Sequence, residues 1–217
     1  MVDRRHFILA GALAGSAGHW RLAQAQSGDG KPVILVVGDS LSAEYGLKRG
    51  EGWVPLMEKR LAEQKIAATV INASISGDTT AGGRARLAGL LAQHKPTHVV
   101  LELGGNDALR GLSLAGTEDN LTQMTKAAQA AGAQVLIVGI QVPPNYGSDY
   151  TRRFEAIFGK VAGATKAALV PFLLNGIADG ADAATLFQRD RIHPTAAAQP
   201  RMLDNVWPTL RKLLPAK

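Results

Sequence analysis

The sequence predicts an α/β protein of three layers, α/β/α, with helices on both faces of a five-stranded parallel sheet. Three features predict it. Short continuous runs of branched apolar residues recur along the chain, amphipathic helical segments separate them, and Gly, Asp, Asn and Ser collect where the runs stop. With 217 residues, 46% of them hydrophobic, the chain can bury one sizeable core.

The elements follow in order. "PVILVVG" (32–38) is the first strand, apolar throughout, as a parallel strand covered on both faces should be. A helix is expected over 52–65, with Val54, Met57 and Leu61 on one stripe. "ATVINAS" (68–74) is the second strand, followed by a helix over 79–93. "THVVLELG" (97–104) is the third, followed by a helix over 117–131 that turns Leu121, Met124 and Ala128 inward. Thr117 is expected to cap that helix, with Glu118 and Asp119 favouring its positive start. "QVLIVGIQV" (134–142) is the fourth strand, and the helix over 151–166 carries Phe154, Ile157, Phe158 and Val161. "ALVPFLL" (168–174) is the fifth. A last helix runs to about 213, with Leu203, Val206, Leu210 and Leu213 on its apolar face. Right-handed crossovers between such units give the flavodoxin-like strand order 2-1-3-4-5. Ligands then belong outside the carboxyl ends of the strands, in the crevice between strands 1 and 3.

The first residues read differently. Arg4 and Arg5 precede an apolar stretch from Phe7 to Gly18, and Ala23-Gln24-Ala25 is a small-x-small site. That is the layout of an export signal over 1–25, cut after Ala25, with 26–217 forming one domain in the periplasm or outside the cell. The paired arginines suit a twin-arginine route, although Asp3 stands where Ser or Thr is usual, and the general secretory route remains open. Twelve apolar residues are too few for a stable anchor, which needs about 20. The chain has no cysteine, which rules out disulfides, thiolate chemistry and lipidated cysteine. The net charge of +6 is dispersed, without a basic block or aromatic interleaving, so no nucleic-acid partner is expected. A monomer is expected.

Four motifs fall at the predicted carboxyl edge: Gly38-Asp39-Ser40, "SISGDT" with Gly77, Gly104-Gly105-Asn106-Asp107, and "DRIHP", Asp190 to Pro194. Each alone has a plain structural explanation. The first three are turn-forming, and His193-Pro194-Thr195 could merely open the last helix. Asp190 and His193 could be a surface pair or two metal ligands, yet no further ligand cluster completes a metal site. Together they supply the parts that ester hydrolysis needs: a nucleophile, a base, a group orienting the base and oxyanion donors. Beyond the leader only His94, His98 and His193 remain, and the first two lie at the opposite edge of the sheet. His193 is therefore the candidate base, and Asp190, three residues earlier, its orienter. Ser40 is the candidate nucleophile; the N–H groups of Ser40 and Gly77 and the Asn106 amide are candidate oxyanion donors. The long stretch from Asn175 to Arg191 would carry His193 back across the crevice.

"GDSLS" (38–42), "SGDT" (76–79), "GGND" (104–107) and "DRIHP" (190–194) resemble the four blocks of the SGNH (GDSL-type) hydrolases, in the family's order and over nearly the whole chain after the leader. "NASISGDTTAGG", "LELGGNDALRG" and "IHPTAAAQP" look most like the acyl-CoA thioesterase I, lysophospholipase L1 and arylesterase subfamily. The resemblance implies the same roles for Ser40, His193, Asp190, Gly77 and Asn106, without metal or cofactor. It implies a small-molecule acyl ester, thioester or lysolipid as substrate. It also suggests that the loop from Ala108 to Gly116 lines an acyl cleft, with Leu109, Leu112 and Leu114 as its apolar surface; the same leucines could simply anchor the loop. "QVPPNYG" (141–147) would form another wall. Three positions depart from pattern. Ser42 replaces the second glycine of the α/β-hydrolase elbow, and Arg191 and Ala108 sit where relatives often have glycine. Two other readings stay open: a non-catalytic module holding a phosphate, flavin or lipid in the same crevice, and an esterase for acetylated sugars.

Overall fold

The computed structural model describes residues 30–215, and from Lys31 on the described chain packs as one unit. The expected export signal and its cut after Ala25 lie outside the described residues.

Five strands form one parallel sheet: β1 Val33–Gly38, β2 Thr69–Asn72, β3 His98–Glu102, β4 Gln134–Val138 and β5 Ala168–Val170. Their order is β2-β1-β3-β4-β5, as the apolar runs predict. The central strands are buried along almost their whole length, which is why they read as unbroken hydrophobic runs. Seven helices cover the described sheet: α1 Trp53–Glu63, α2 Thr80–His94, α3 Gly105–Leu109, α4 Leu114–Ala130, α5 Ser148–Thr165, α6 Ala183–Leu186 and α7 Gln199–Leu213. α1 packs with α7 and α4 lies between α2 and α5. The helix stripes predicted from spacing are the buried ones: Val54, Met57 and Leu61 on α1, Phe154, Ile157, Phe158 and Val161 on α5.

Two boundaries differ from expectation for physical reasons. The apolar runs at 134–142 and 168–174 outlast the strands, because β5 pairs only over Leu136–Val138 and Pro171 cannot donate to a ladder. Leu173 and Leu174 are still buried beyond the end of the ladder, where the Leu173 N–H donates to the Gly139 carbonyl at 2.9 Å. Thr117 does not cap α4. Ser113 does, accepting from the N–H of Gly116 at 3.4 Å, and Thr117 lies one turn inside, buried, with its hydroxyl on the Ser113 carbonyl and Asp107. Glu118 and Asp119 instead face outward to Lys160 and Arg84.

Leu101 is wholly buried at the centre of the sheet. Leu101→Ala should lower unfolding free energy by about 2–5 kcal/mol. Urea denaturation followed by circular dichroism reads the shift, and a loss well below that range would contradict tight packing of the β3 core.

Candidate active site

The turn that bears Ser40, the candidate nucleophile, begins where β1 ends. Gly38 is required by close approach: a Cβ there would stand 2.8 Å from Ser42 and 2.9 Å from Glu102 Oε2. The chain then coils, with the Ala43 N–H on the Asp39 carbonyl at 2.9 Å, and this presents Ser40 at the edge. Asp39 stays buried and accepts from the Leu41 N–H at 3.0 Å and from Asn106 Nδ2 at 3.1 Å. Ser42, the departure from the elbow pattern, is buried too. Its hydroxyl donates to Glu102 Oε2 at 2.7 Å and accepts from Trp53 Nε1 at 3.2 Å.

Ser40, His193 and Asp190 form one continuous chain of contacts. Ser40 Oγ lies 2.8 Å from His193 Nε2, and His193 Nδ1 lies 2.7 Å from Asp190 Oδ2. Asp190 is acceptor-only when ionised, so Nδ1 carries the proton and Nε2 turns its lone pair to Ser40. Burial works to raise the Asp190 carboxyl, but the N–H groups of His193 and Ile192 and the His193 ring outweigh it and hold it at about 2. The carboxylate is thus charged across the working pH range.

His193 arrives from the far side of the sheet on a tight hairpin. Phe187 bridges Pro194 antiparallel, the Gln188 N–H donates to the His193 carbonyl at 2.8 Å, and the Thr195 N–H to Leu186 at 2.7 Å. Gln188 Nε2 then reaches the carbonyl of Tyr45 at 2.9 Å, clasping this hairpin to the turn that bears Ser40. The Tyr45 ring sits 4.3 Å from the imidazole, centroid to centroid. Arg191 occupies the tip at φ +59°, a conformation that costs a side chain roughly 1–2 kcal/mol relative to glycine. His98 lies at the amino edge with Nε2 on the Leu213 carbonyl, and burial lowers its pKa.

Of the oxyanion candidates, Ser40 and Asn106 line one cleft with His193. Asn106 spends one amide hydrogen on Asp39 and keeps the other. Gly77 is not among the cleft-lining residues. Its φ of +81° requires glycine, and Arg110 Nη2 clamps its carbonyl at 2.7 Å. Among the described residues neither the Ser40 nor the Gly77 N–H donates to another protein group. The two loops are tied behind the edge: Asp107 accepts from the Thr80 N–H at 2.8 Å and from the Thr80 hydroxyl.

The cleft holds about 470 Å³ and is largely apolar, with Leu41, Leu109, Ile140, Val142, Phe172 and Phe187 among its walls. Leu109 therefore lies where expected, and Gln141 to Pro143 form the second wall. Leu112 does not line it; it stands 42% exposed on the loop outside.

Sequence reasoning missed Gln188, Tyr45 and Glu102. A lone loop glutamine gives no signal, but a charge inside the apolar strand 97–104 does. Glu102 is fully buried and its Oε1 has no hydrogen-bond partner among the described residues. Burial, reinforced by the neighbouring Asp39 charge, pushes its pKa well above the usual carboxylate range. Burial likewise pushes Asp39 up to about 6, against the Leu41 and Asn106 donors that lower it.

The matching family model is the GDSL-like lipase/acylhydrolase family, over residues 36–200. Esterase TesA of Pseudomonas aeruginosa is 55% identical across 84% of this chain and 89% of its own. Thioesterase 1/protease 1/lysophospholipase L1 of Escherichia coli K12 is 40% identical across 79% of this chain and 80% of its own. The crystal structure of the psychrotrophic esterase EstA from Pseudoalteromonas sp., inhibited by monoethylphosphonate, superposes with a TM-score of 0.79 at 41% identity. It matches 84% of this chain and 98% of that one.

A raised carboxyl pKa favours the folded state at low pH, and that contribution is lost as pH rises from the unfolded toward the folded pKa. The parent's melting temperature should accordingly fall between pH 5 and 8 by more than that of Glu102→Gln, which keeps an acceptor for Ser42 and cannot ionise. Calorimetry across that range checks it; parallel pH profiles would show that Glu102 does not titrate as its burial demands.

Proposed function

The chain belongs to the GDSL-like lipase/acylhydrolase family and hydrolyses ester bonds, and from that premise we propose an exported serine esterase and thioesterase for short- to medium-chain acyl esters and thioesters. One observation carries the assignment of roles: the unbroken line Ser40 Oγ, His193 Nε2, Nδ1, Asp190 Oδ2, with 2.8 and 2.7 Å contacts at its two joints.

In this reading Ser40 Oγ attacks the acyl carbonyl as His193 Nε2 takes its proton, and the Asp190 carboxylate stabilises the imidazolium. The developing oxyanion accepts from the N–H groups of Ser40 and Gly77 and from the second hydrogen of Asn106 Nδ2. His193 returns the proton to the leaving alcohol or thiol, and a water activated the same way releases the acid from Ser40. The apolar cleft beside Ser40 suits the acyl chain, with Leu109 against it. The names of the relatives, esterase and thioesterase, point the same way, and inhibition of EstA by a phosphonate fits a nucleophilic hydroxyl.

Export rests on the leader, Arg4-Arg5, the apolar run and Ala23-Gln24-Ala25, which would release residues 26–217 to the periplasm or beyond as one catalytic domain. A monomer suffices, because Ser40, His193, Asp190 and the cleft walls all come from one chain.

A fluorophosphonate probe should label the parent and not Ser40→Ala; equal labelling would remove Ser40 as the nucleophile. Asn106→Ala should lower kcat on p-nitrophenyl acetate by about 100- to 1,000-fold. His193→Ala should abolish turnover with an unaltered circular dichroism spectrum, and undiminished turnover would refute its role as base.

A further inference from the structure

The three groups assigned to the oxyanion are not held alike. The Ser40 N–H belongs to a coil closed on the Asp39 carbonyl by the N–H groups of Ser42 and Ala43, and Asn106 Nδ2 is tied to Asp39 at 3.1 Å. Gly77 has no side chain, and its backbone, at φ +81°, turns more freely than that of any other residue type. Its N–H donates to no protein group among the described residues, so no bond of its own aims it. A contact that fixes this N–H must therefore act on the other polar group of residue 77, its carbonyl.

Arg110 makes that contact. Its Nη2 donates to the Gly77 carbonyl at 2.7 Å, and no acid lies within ion-pair distance of it among the described residues. Arg110 closes α3, with its own N–H on the Asn106 carbonyl at 3.1 Å. One short helix thus presents the Asn106 amide near its start and grips Gly77 from its end. Because β2 and β3 flank β1, a bond between the loops that follow them joins the two sides of the turn bearing Ser40. The Gly77 loop runs beside that turn, with the Ile75 N–H on the Gly38 carbonyl at 3.0 Å. Other contacts hold the loop on either side of residue 77. Arg86 takes Asp78 at 2.8 Å and the Ala73 carbonyl, and Asp107 takes the Thr80 N–H at 2.8 Å. Loss of the Arg110 side chain should release the glycine and leave the loop in place.

We propose that Arg110 is a positioning residue for ester hydrolysis, clamping the Gly77 carbonyl so that the Gly77 N–H faces the oxyanion formed at Ser40. The clamp rests on the hydrolase reading of the site. Arg110 is not among the residues lining the cleft, so it acts through Gly77 and not on the acyl chain. Its neighbour Leu109 does line the cleft, and the rival reading is that Arg110 only anchors this wall. Substrates separate the two. An oxyanion forms on every acyl ester whatever its chain, whereas the Leu109 wall meets only chains long enough to reach it.

The test compares Arg110→Ala and Arg110→Lys with the parent on p-nitrophenyl acetate and p-nitrophenyl octanoate. For Arg110→Ala, kcat should fall by about 10- to 100-fold, by the same factor on both esters, with KM within about twofold of the parent's. Arg110→Lys keeps a cationic donor and should recover about threefold or more of that loss. Diisopropyl fluorophosphate carries no acyl chain but places its phosphoryl oxygen in the same hole, so its reaction with Arg110→Ala should slow by a similar factor. The melting temperature of Arg110→Ala should stay within about 3 °C of the parent's, because the bond lost is an exposed one. An unchanged kcat would overturn the proposal. So would a loss confined to the octanoate or carried in KM, which would assign Arg110 to the Leu109 wall. A larger drop in melting temperature with no recovery in Arg110→Lys would overturn it in favour of a purely structural role. A parent inert to both esters and to the fluorophosphate would sink the hydrolase reading and the clamp with it; an active parent with an indifferent Arg110→Ala sinks the clamp alone.

Discussion

The buried carboxyl group of Glu102 organises what stands above it. It ends β3 directly beside Gly38 at the end of β1, and Ser42 folds back to donate to it while Trp53 donates to Ser42. The turn bearing Ser40 is thereby tied to the sheet seam and to the first residue of α1. Asp39 extends the tie sideways, joining the Leu41 N–H to the Asn106 amide of the next loop. Two acids in so dry a place oppose folding wherever they ionise, so they are poor candidates for sources of stability. Their effect is geometric. Removing Glu102 would leave the Ser42 hydroxyl without its acceptor, and removing Asp39 would leave the Leu41 N–H and the Asn106 amide without theirs.

Parallel topology explains why the remaining parts meet there. Every strand of such a sheet delivers its following loop to the same edge, so Ser40 after β1 and Asn106 after β3 are neighbours by pairing alone. His193 follows β5, two strands removed from β3, and pairing cannot bring it over. The hairpin closed by Phe187 and Pro194 does so, and Gln188 fixes its landing point on the Tyr45 carbonyl. Side chains held from behind in this way need little rearrangement to react. Asp107 performs the equivalent service for the Gly77 and Asn106 loops through Thr80.

Strand order and helix stripes were legible because burial on both faces leaves unbroken apolar runs and burial on one face leaves a period of 3.6. Strand ends were not, since Leu173 and Leu174 stay buried beyond the point where the regular ladder stops. The start of α4 was misplaced because Ser113 and Thr117 are equally good caps by type. Only the tertiary contact of Thr117 with Asp107 separates them. The meeting of Ser40, Asn106, Asp190 and His193 at one edge could be anticipated from residue type and from the strand each follows. Leu109 and Leu112 could not be told apart, because spacing fixes side-chain direction in helices and strands and not in the loop that follows α3. Gln188 acts across 143 residues of sequence, a distance over which a single sequence holds no signal.

The hairpin that carries His193 also sorts its own side chains. Asp190 Oδ1 accepts both the Ile192 and the His193 N–H, winding the backbone around the carboxylate, so that positions 190 and 193 meet within while Arg191 and Ile192 are left on the open side. That winding puts Arg191 into the left-handed region, where glycine would sit without strain and with far more freedom. A side chain at this position restricts the unfolded hairpin as well as straining the folded one, and the two effects oppose each other. What arginine adds is a cation one residue from Asp190 and one residue from an exposed isoleucine. The contact of Asp190 with His193 and the exposure of Arg191 and Ile192 therefore follow from one winding of four consecutive residues.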